Sequence, residues 1–256
     1  ARAVSMAFRK CNTLLHFLNA MDTALAMGAS EAKRLGYVLS RPEAASKCLA
    51  VLGDGTECHS GMDATRNTIF RNVPGVKVIL NNNWTAMTGG QPSPTSPANL
   101  AGDPNVFDLN RSLKAHGAHV VEVSGYDKKA LEKALKKALA DAEAGTFTTL
   151  VVTGVCIRKM PKDSYGVKMA VDPELCVRCG MCQICPGIEA DAEGLPFFNN
   201  ICTGCVSQNP ACAQMCPKGA IAPARDQSAC GLASCPELPA PPETIDLPAV
   251  TGGLPP

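Results

Sequence analysis

SKCLAVLGDG, residues 46–55, is a short apolar run that stops at Gly53-Asp54-Gly55. A run of this length, apolar throughout and closed by glycine, predicts a strand buried on both faces. Outward from it, GVKVIL (75–80) reads as a second buried strand, and the run from His119 to Val123 and TTLVVT (148–153) read as further strands. Helical patterns separate them: His59 to Arg71, Phe107 to His116, and a strongly amphipathic stretch rich in Ala, Lys and Leu from Asp127 to Ala144. Residues 1–30 are mixed and in part helical, and Asn81 to Asn105 is a long loop rich in Asn, Thr, Gly, Pro and Ser. Strands alternating with helices predict an α/β fold, a parallel sheet with helices on both faces. A loop this long inside a compact domain is usually functional.

The second half changes character. Eight cysteines fall between Cys176 and Cys216, as Cys176-x2-Cys179-x2-Cys182-x2-Cys185-Pro186 and Cys202-x2-Cys205-x6-Cys212-x3-Cys216-Pro217. A [4Fe–4S] cluster takes four thiolates, so eight suffice for two. Paired Cys-x2-Cys units also bind zinc, but zinc does not account for eight cysteines with two Cys-Pro endings. Disulfides suit short secreted chains, and no signal peptide is evident here.

Residues 172–224 resemble two-cluster bacterial-type ferredoxins, a small α+β fold. The resemblance implies that Cys176, Cys179, Cys182 and Cys216 hold cluster I, and that Cys202, Cys205, Cys212 and Cys185 hold cluster II. Two spacings depart from the ferredoxin pattern. The first run has two residues before its last cysteine in place of three, and Cys205 and Cys212 are separated by six in place of two.

Bulk properties narrow the rest. A chain of 256 residues accommodates one core domain and a small second one. A net charge of +1 offers no broad basic field for nucleic acid. No apolar run approaches the roughly 18 residues needed to span a bilayer. Fourteen cysteines beside four histidines point to metal sites in a reducing compartment, the cytoplasm. The chain opens Ala1-Arg2-Ala3-Val4, as a processed chain or a piece of a longer polypeptide would. The expected organisation is an α/β domain over 1–155, a polar, basic connector over 156–171, the cysteine-rich domain over 172–224 and a Pro-rich tail over 225–256. Cys230 and Cys235 in that tail read as free thiols.

Asp54 and Asn82 each follow a predicted strand. In open parallel sheets ligands bind outside the carboxyl ends of the strands. A carboxylate and an amide oxygen from adjacent loops can share one hard cation, and Mg²⁺ completes its shell with phosphate oxygens and water. That donor set suits a Mg²⁺–diphosphate cofactor. Neither G-x-G-x-x-G nor G-x4-G-K-[ST] occurs.

Gly53-Asp54-Gly55 with Asn81-Asn82-Asn83 resembles the thiamine diphosphate motif. The following Thr85-Ala86-Met87-Thr88-Gly89-Gly90-Gln91-Pro92 resembles a loop of the 2-oxoacid:ferredoxin oxidoreductases, most closely the indolepyruvate:ferredoxin oxidoreductase alpha subunit. Asp22-Thr23, Met27-Gly28-Ala29-Ser30 and His59-Ser60-Gly61 are similar to that family too. The resemblance implies that Asp54, the Asn82 side chain and the Trp84 carbonyl bind Mg²⁺. Gly53, Gly55, Gly28, Ala29 and Ser30 would approach the diphosphate and thiazolium. Thr85, Thr88 and Gln91 would line the cofactor end of the substrate pocket. His59 is either a proton-transfer residue or a helix-start residue satisfied by backbone.

The implied activity is oxidative decarboxylation of a 2-oxoacid, an aryl pyruvate being one candidate, to CO2 and acyl-coenzyme A. Electrons would pass through the clusters to ferredoxin or another low-potential acceptor. The family's pyrimidine-binding domain, which supplies the activating glutamate, is expected from a partner chain or an N-terminal region. The competing expectation is a non-catalytic iron–sulfur electron-transfer subunit that has lost thiamine binding.

Overall fold

The computed structural model describes residues 25–86, 89–156, 159, 166–200, 202–206 and 210–224. Its larger part is built on four strands: β1 (Leu49–Gly53), β2 (Gly75–Asn81), β3 (His119–Ser124) and β4 (Phe147–Thr153). They form one sheet in the order β1-β2-β4-β3, parallel throughout. All four strands predicted from the sequence are present within a few residues of their expected bounds. Four helices accompany them: α1 (Ala29–Ser40), α2 (Met62–Phe70), α3 (Leu109–Ala115) and α4 (Lys128–Glu143).

The alternation of side chains along β2 explains the layering. Val76, Val78 and Leu80 face α4, where they pack with Leu131, Leu135, Ala138 and Ala142, spaced to share one helix face. Ile79 faces the other way and packs with Leu52, Val151 and the α3 residues Leu109 and Leu113. Both sheet faces are therefore covered, as near-continuous apolar strands require. Asp127 caps α4 by accepting the Ala130 N–H at 2.9 Å, and Asp108 caps α3 through Arg111 at 2.9 Å.

Helix α1 was not separable from the mixed opening of the sequence. Its inward positions carry charge: Glu31 and Arg34 are buried beside Leu35 and Val38. Arg34 donates to both Glu31 oxygens, at 2.9 and 2.7 Å, and to the Pro74 carbonyl at 2.9 Å. Thr68 donates to Glu31 at 2.7 Å. A second buried pair lies between β2 and the turn that follows Asp54. Lys77, in the middle of β2, reaches Glu57 at 2.5 Å, both side chains having no solvent exposure, and Thr65 of α2 donates to Glu57 at 2.8 Å. Burial pushes the Lys77 pKa down and the Glu57 charge opposes that shift.

The cysteine-rich part contains two antiparallel pairs and a short helix. β5 (Met169–Val171) pairs with β8 (Ile221–Pro223), and β6 (Ile188–Ala190) with β7 (Pro196–Phe198); α5 is Ala211–Met215. β5 lies within residues read from the sequence as connector. Gln214 of α5 accepts the Lys128 N–H at 2.8 Å and donates to the Tyr126 carbonyl at 2.6 Å, tying this part to the start of α4 and the loop before it. No helix among the described residues is long and apolar enough to cross a membrane. The tail expected over 225–256, with Cys230 and Cys235, lies outside the described residues.

The Lys77–Glu57 pair makes a non-additive prediction. Lys77→Met alone strands a buried carboxylate and should lower unfolding stability in urea by about 3–5 kcal/mol. Adding Glu57→Leu should recover most of that loss; a double variant as unstable as the sum of the singles would show that the two charges are not coupled.

Candidate functional site

β1 ends at Gly53, and the chain turns at once into a helical turn (Asp54–Thr56), then a π turn (Glu57–Gly61), before α2. This sharp start places Asp54 at the carboxyl end of the sheet, beside the end of β2. Asp54 is 3% exposed. Burial pushes its pKa up, against hydrogen bonds from the Thr95 hydroxyl and from backbone at Gly55 and Asn82. A carboxylate so removed from water is poorly stabilised by neutral donors alone, and a divalent cation would relieve it.

Asn82 stands at the end of the neighbouring strand. Its side-chain oxygen accepts the Trp84 N–H at 3.0 Å in a tight turn. An amide oxygen has two lone pairs, so one remains for a cation. Asn83 sits in the left-handed region, φ 63, and its carbonyl accepts the hydroxyl of the buried Ser96. Ser96 in turn receives the Ser93 N–H at 2.9 Å. Thr95, Ser96 and Ser93 were not singled out from the sequence. Their only signal was a Ser-Pro-Thr-Ser-Pro cluster that reads equally as plain turn chemistry.

The next turn is closed by an antiparallel bridge between Thr85 and Gln91, with Thr85 N–H to the Gln91 carbonyl at 3.0 Å and Gly90 N–H to the Thr85 carbonyl at 3.1 Å. The Thr85 hydroxyl faces Gly55 so closely that a Cβ there would lie 3.1 Å from it. Thr88 lies outside the described residues. On the other side, Gly28 precedes α1 in the left-handed conformation, φ 83, and a Cβ on it would collide with the Ser60 hydroxyl. The Gly28-Ala29-Ser30 segment therefore sits against the helical turns that begin at Asp54. The Ser30 hydroxyl is buried, and among the described residues it has no hydrogen-bond partner. His59 is exposed, with no hydrogen bond to Asp54 or Asn82. Cys58 is pushed up to about 12 by burial, then by the charges of Asp54 and Glu57, and stays a thiol.

The cysteines form a second constellation. Cys176, Cys179, Cys182 and Cys216 line one cavity, walled by Val171 and Ile221, so the first run and the distant Cys216 do come together. Burial pushes the Cys182 thiol up, and the charges of the other three add to it. Backbone N–H groups point at two of the sulfurs, Ala220 to Cys216 at 3.2 Å and Arg178 to Cys176 at 3.4 Å. Cys185 lies against the second run: a Cβ on Gly187 would be 3.5 Å from its sulfur and 3.1 Å from the Cys202 backbone. Cys212 is buried in α5, in one apolar cluster with Cys182, Cys185, Cys202 and Cys216, and Cys205 is buried at φ 60. Among the described residues no three His, Cys, Asp or Glu side chains meet closely enough for a single metal ion.

Comparison with known proteins defines the class. The profile of the thiamine pyrophosphate enzyme C-terminal TPP-binding domain matches residues 2–152. The indolepyruvate oxidoreductase subunit IorA of Archaeoglobus fulgidus is 29% identical over 215 residues, which are 81% of this chain and 33% of IorA. Its counterpart in Thermococcus kodakarensis is 32% identical over 244 residues, 84% of this chain and 36% of that protein. The 2-oxoglutarate synthase subunit KorB of Archaeoglobus fulgidus is 32% identical over 135 residues, half of this chain and 49% of KorB. The chain belongs to the thiamine pyrophosphate enzymes, through the match to their C-terminal TPP-binding domain. It spans about a third of the length of the IorA relatives it matches.

The Thr95–Asp54 contact can be tested without any cofactor. Thr95→Val removes a donor from a buried carboxylate and should destabilise the metal-free chain by about 1–3 kcal/mol at neutral pH. The variant raises the folded-state pKa of Asp54 further. The loss is therefore present where the carboxylate is ionised and shrinks as pH falls through that raised pKa. A deficit that persists unchanged at acidic pH would assign it to packing.

Proposed function

We propose that the chain binds Mg²⁺–thiamine diphosphate at the Asp54–Asn82 loops and two [4Fe–4S] clusters on its eight clustered cysteines. It would act as one subunit of a 2-oxoacid:ferredoxin oxidoreductase. The observation that carries this reading is the buried, strained-for-charge position of Asp54 at the ends of two adjacent parallel strands, in the same chain as a cavity lined by four cysteines.

The residues fit the groups proposed. Asp54, the free lone pair of Asn82 and the Trp84 carbonyl give Mg²⁺ an all-oxygen set. Thr85 crowds the place a side chain on Gly55 would take and Ser60 fills that of Gly28, so both positions suit glycine, and their backbone would face the diphosphate. The unpartnered Ser30 hydroxyl at the start of α1 adds a donor at a helix N-terminus, where anions are favoured. On the sulfur side, four thiols arranged around a cavity, and not at one point, suit a cluster that takes one thiolate per iron. The Ala220 and Arg178 N–H groups would hydrogen-bond the ligating sulfurs, the contacts that tune cluster potential. Cys202, Cys205, Cys212 and Cys185 would hold the second cluster.

Thiamine diphosphate supplies decarboxylation of a 2-oxoacid with the electron pair held on its ring system, and iron–sulfur clusters supply one-electron transfer. The overall reaction takes a 2-oxoacid, coenzyme A and two oxidised ferredoxins to acyl-coenzyme A, CO2, a proton and two reduced ferredoxins. This chain's residues anchor the cation, hold the diphosphate end, shape the pocket with Thr85 and Gln91, and carry the thiolates. Thr88, outside the described residues, is given the same proposed role from the sequence. His59, exposed and without a link to Asp54, is not assigned a proton transfer. The pyrimidine-binding half would come from partner chain or additional sequence, and ferredoxin is the proposed acceptor.

The reading is tested by cofactor content in the anaerobically isolated complex: about eight irons per chain, at four per cluster, and one thiamine diphosphate. Asp54→Ala should abolish thiamine retention and leave the iron intact. Iron without thiamine in the unaltered complex would reduce the chain to an electron carrier. Cys216→Ser should lower iron by about four per chain, since it is proposed to complete the first run's cluster.

A further inference from the structure

We propose that Lys159 is an anion-binding residue of the thiamine loop, taking either the carboxylate of the 2-oxoacid or a phosphate of coenzyme A. The inference rests on the function proposed above and names the groups that its ligands present.

Lys159 belongs to the segment between β4 and β5, well away in sequence from the loop it covers. Its ammonium lies 4.3 Å from the centroid of the Trp84 ring. Its stem crosses Gly90, where a Cβ would collide with the lysine's own carbons, and Gly90 is buried at φ 76. The site is thus shaped on both sides for this side chain: an aromatic face under the charge and a residue with no side chain under the stem. The opposite wall of the same loop is Thr85, whose hydroxyl faces Gly55 beside Asp54. One turn of chain therefore separates the proposed cation site from this second positive charge.

A ring face engages one side of an ammonium and leaves N–H donors for another ligand. Lys159 is exposed, and among the described residues no carboxylate forms an ion pair with it. Its backbone is fixed by its N–H to the Cys156 carbonyl at 2.9 Å. A compact point charge held in place suits carboxylate and phosphate groups. Both soluble reactants of the proposed reaction bear such groups.

Trp84 is the single tryptophan of the chain, so its fluorescence reports directly on this position. The full chain, loaded with Mg²⁺ and thiamine diphosphate, is titrated with 2-oxobutyrate and separately with coenzyme A. The assembled complex is assayed in parallel for the KM of each. Lys159→Met keeps the stem over Gly90 and removes the charge. It should raise the half-saturation of one of the two anions about ten- to hundredfold, the worth of a charge-assisted contact, with kcat and thiamine content little changed. Lys159→Arg should restore it. A shift for 2-oxobutyrate assigns the carboxylate, and a shift for coenzyme A assigns the phosphate. No shift for either anion in both assays overturns the proposal. A complex inert toward every 2-oxoacid, but with Lys159-dependent anion binding at Trp84, would sink the oxidoreductase reading and leave this one standing.

Discussion

The ion pair between Lys77 and Glu57 is the contact on which the site's geometry depends. It has no solvent exposure, and it joins the middle of the second strand to the π turn that follows Asp54. A π turn is rare and is retained mainly at functional positions. Here it lets the chain leave β1 as helix immediately, so that Asp54 and Gly55 stay at the sheet's carboxyl edge. Gly61 closes the same turn, because any side chain there would run into the Glu57 carboxylate and Leu52. Burying two charges is costly, and an apolar pair could hold the turn as well. What the charges add is direction. Glu57 accepts from Lys77 and from Thr65, so strand, turn and α2 are fixed against one another by bonds of defined angle.

The parallel sheet was legible chiefly through β1 and β2, apolar runs that end at Gly53 and Asn81, signals that need no tertiary knowledge. α4 was legible for the complementary reason: a clean apolar stripe and an Asp127 cap. α1 was not, because Glu31 and Arg34 occupy its core-facing positions and satisfy each other only after Thr68 and the Pro74 carbonyl arrive from elsewhere. Of the site, Asp54 and Asn82 could be named from position after strands. Thr95 and Ser96 could not, since their role depends on how a long Pro- and Ser-rich loop folds back. Lys159 was equally hidden. A lysine in a polar, basic connector carries no signal until the loop around Trp84 and Gly90 brings it to the sheet edge.

The two chemistries suggested by the sequence are not merely consecutive along the chain. α5 carries Cys212 and is followed by Cys216, and between them Gln214 makes two hydrogen bonds, to the Tyr126 carbonyl in the loop after β3 and to the Lys128 N–H that opens α4. One acceptor and one donor from a single amide, set against a loop carbonyl and the first N–H of α4, hold the short helix at a fixed orientation as well as a fixed distance. β3 lies at the opposite edge of the sheet from β1. With neighbouring strands about 4.8 Å apart, the loop that anchors Gln214 is roughly 14 Å across the sheet from the end of β1, and roughly 10 Å from the end of β2. The same edge that presents Asp54 and Asn82 thus also positions the helix bearing the cysteines. A rigid sheet sets that separation, and no flexible linker intervenes between Gln214 and its partners. For a subunit proposed to hand electrons from one cofactor to the next, such a fixed span is the structural property that matters most. It follows from strand order and two hydrogen bonds, not from the length of the connector.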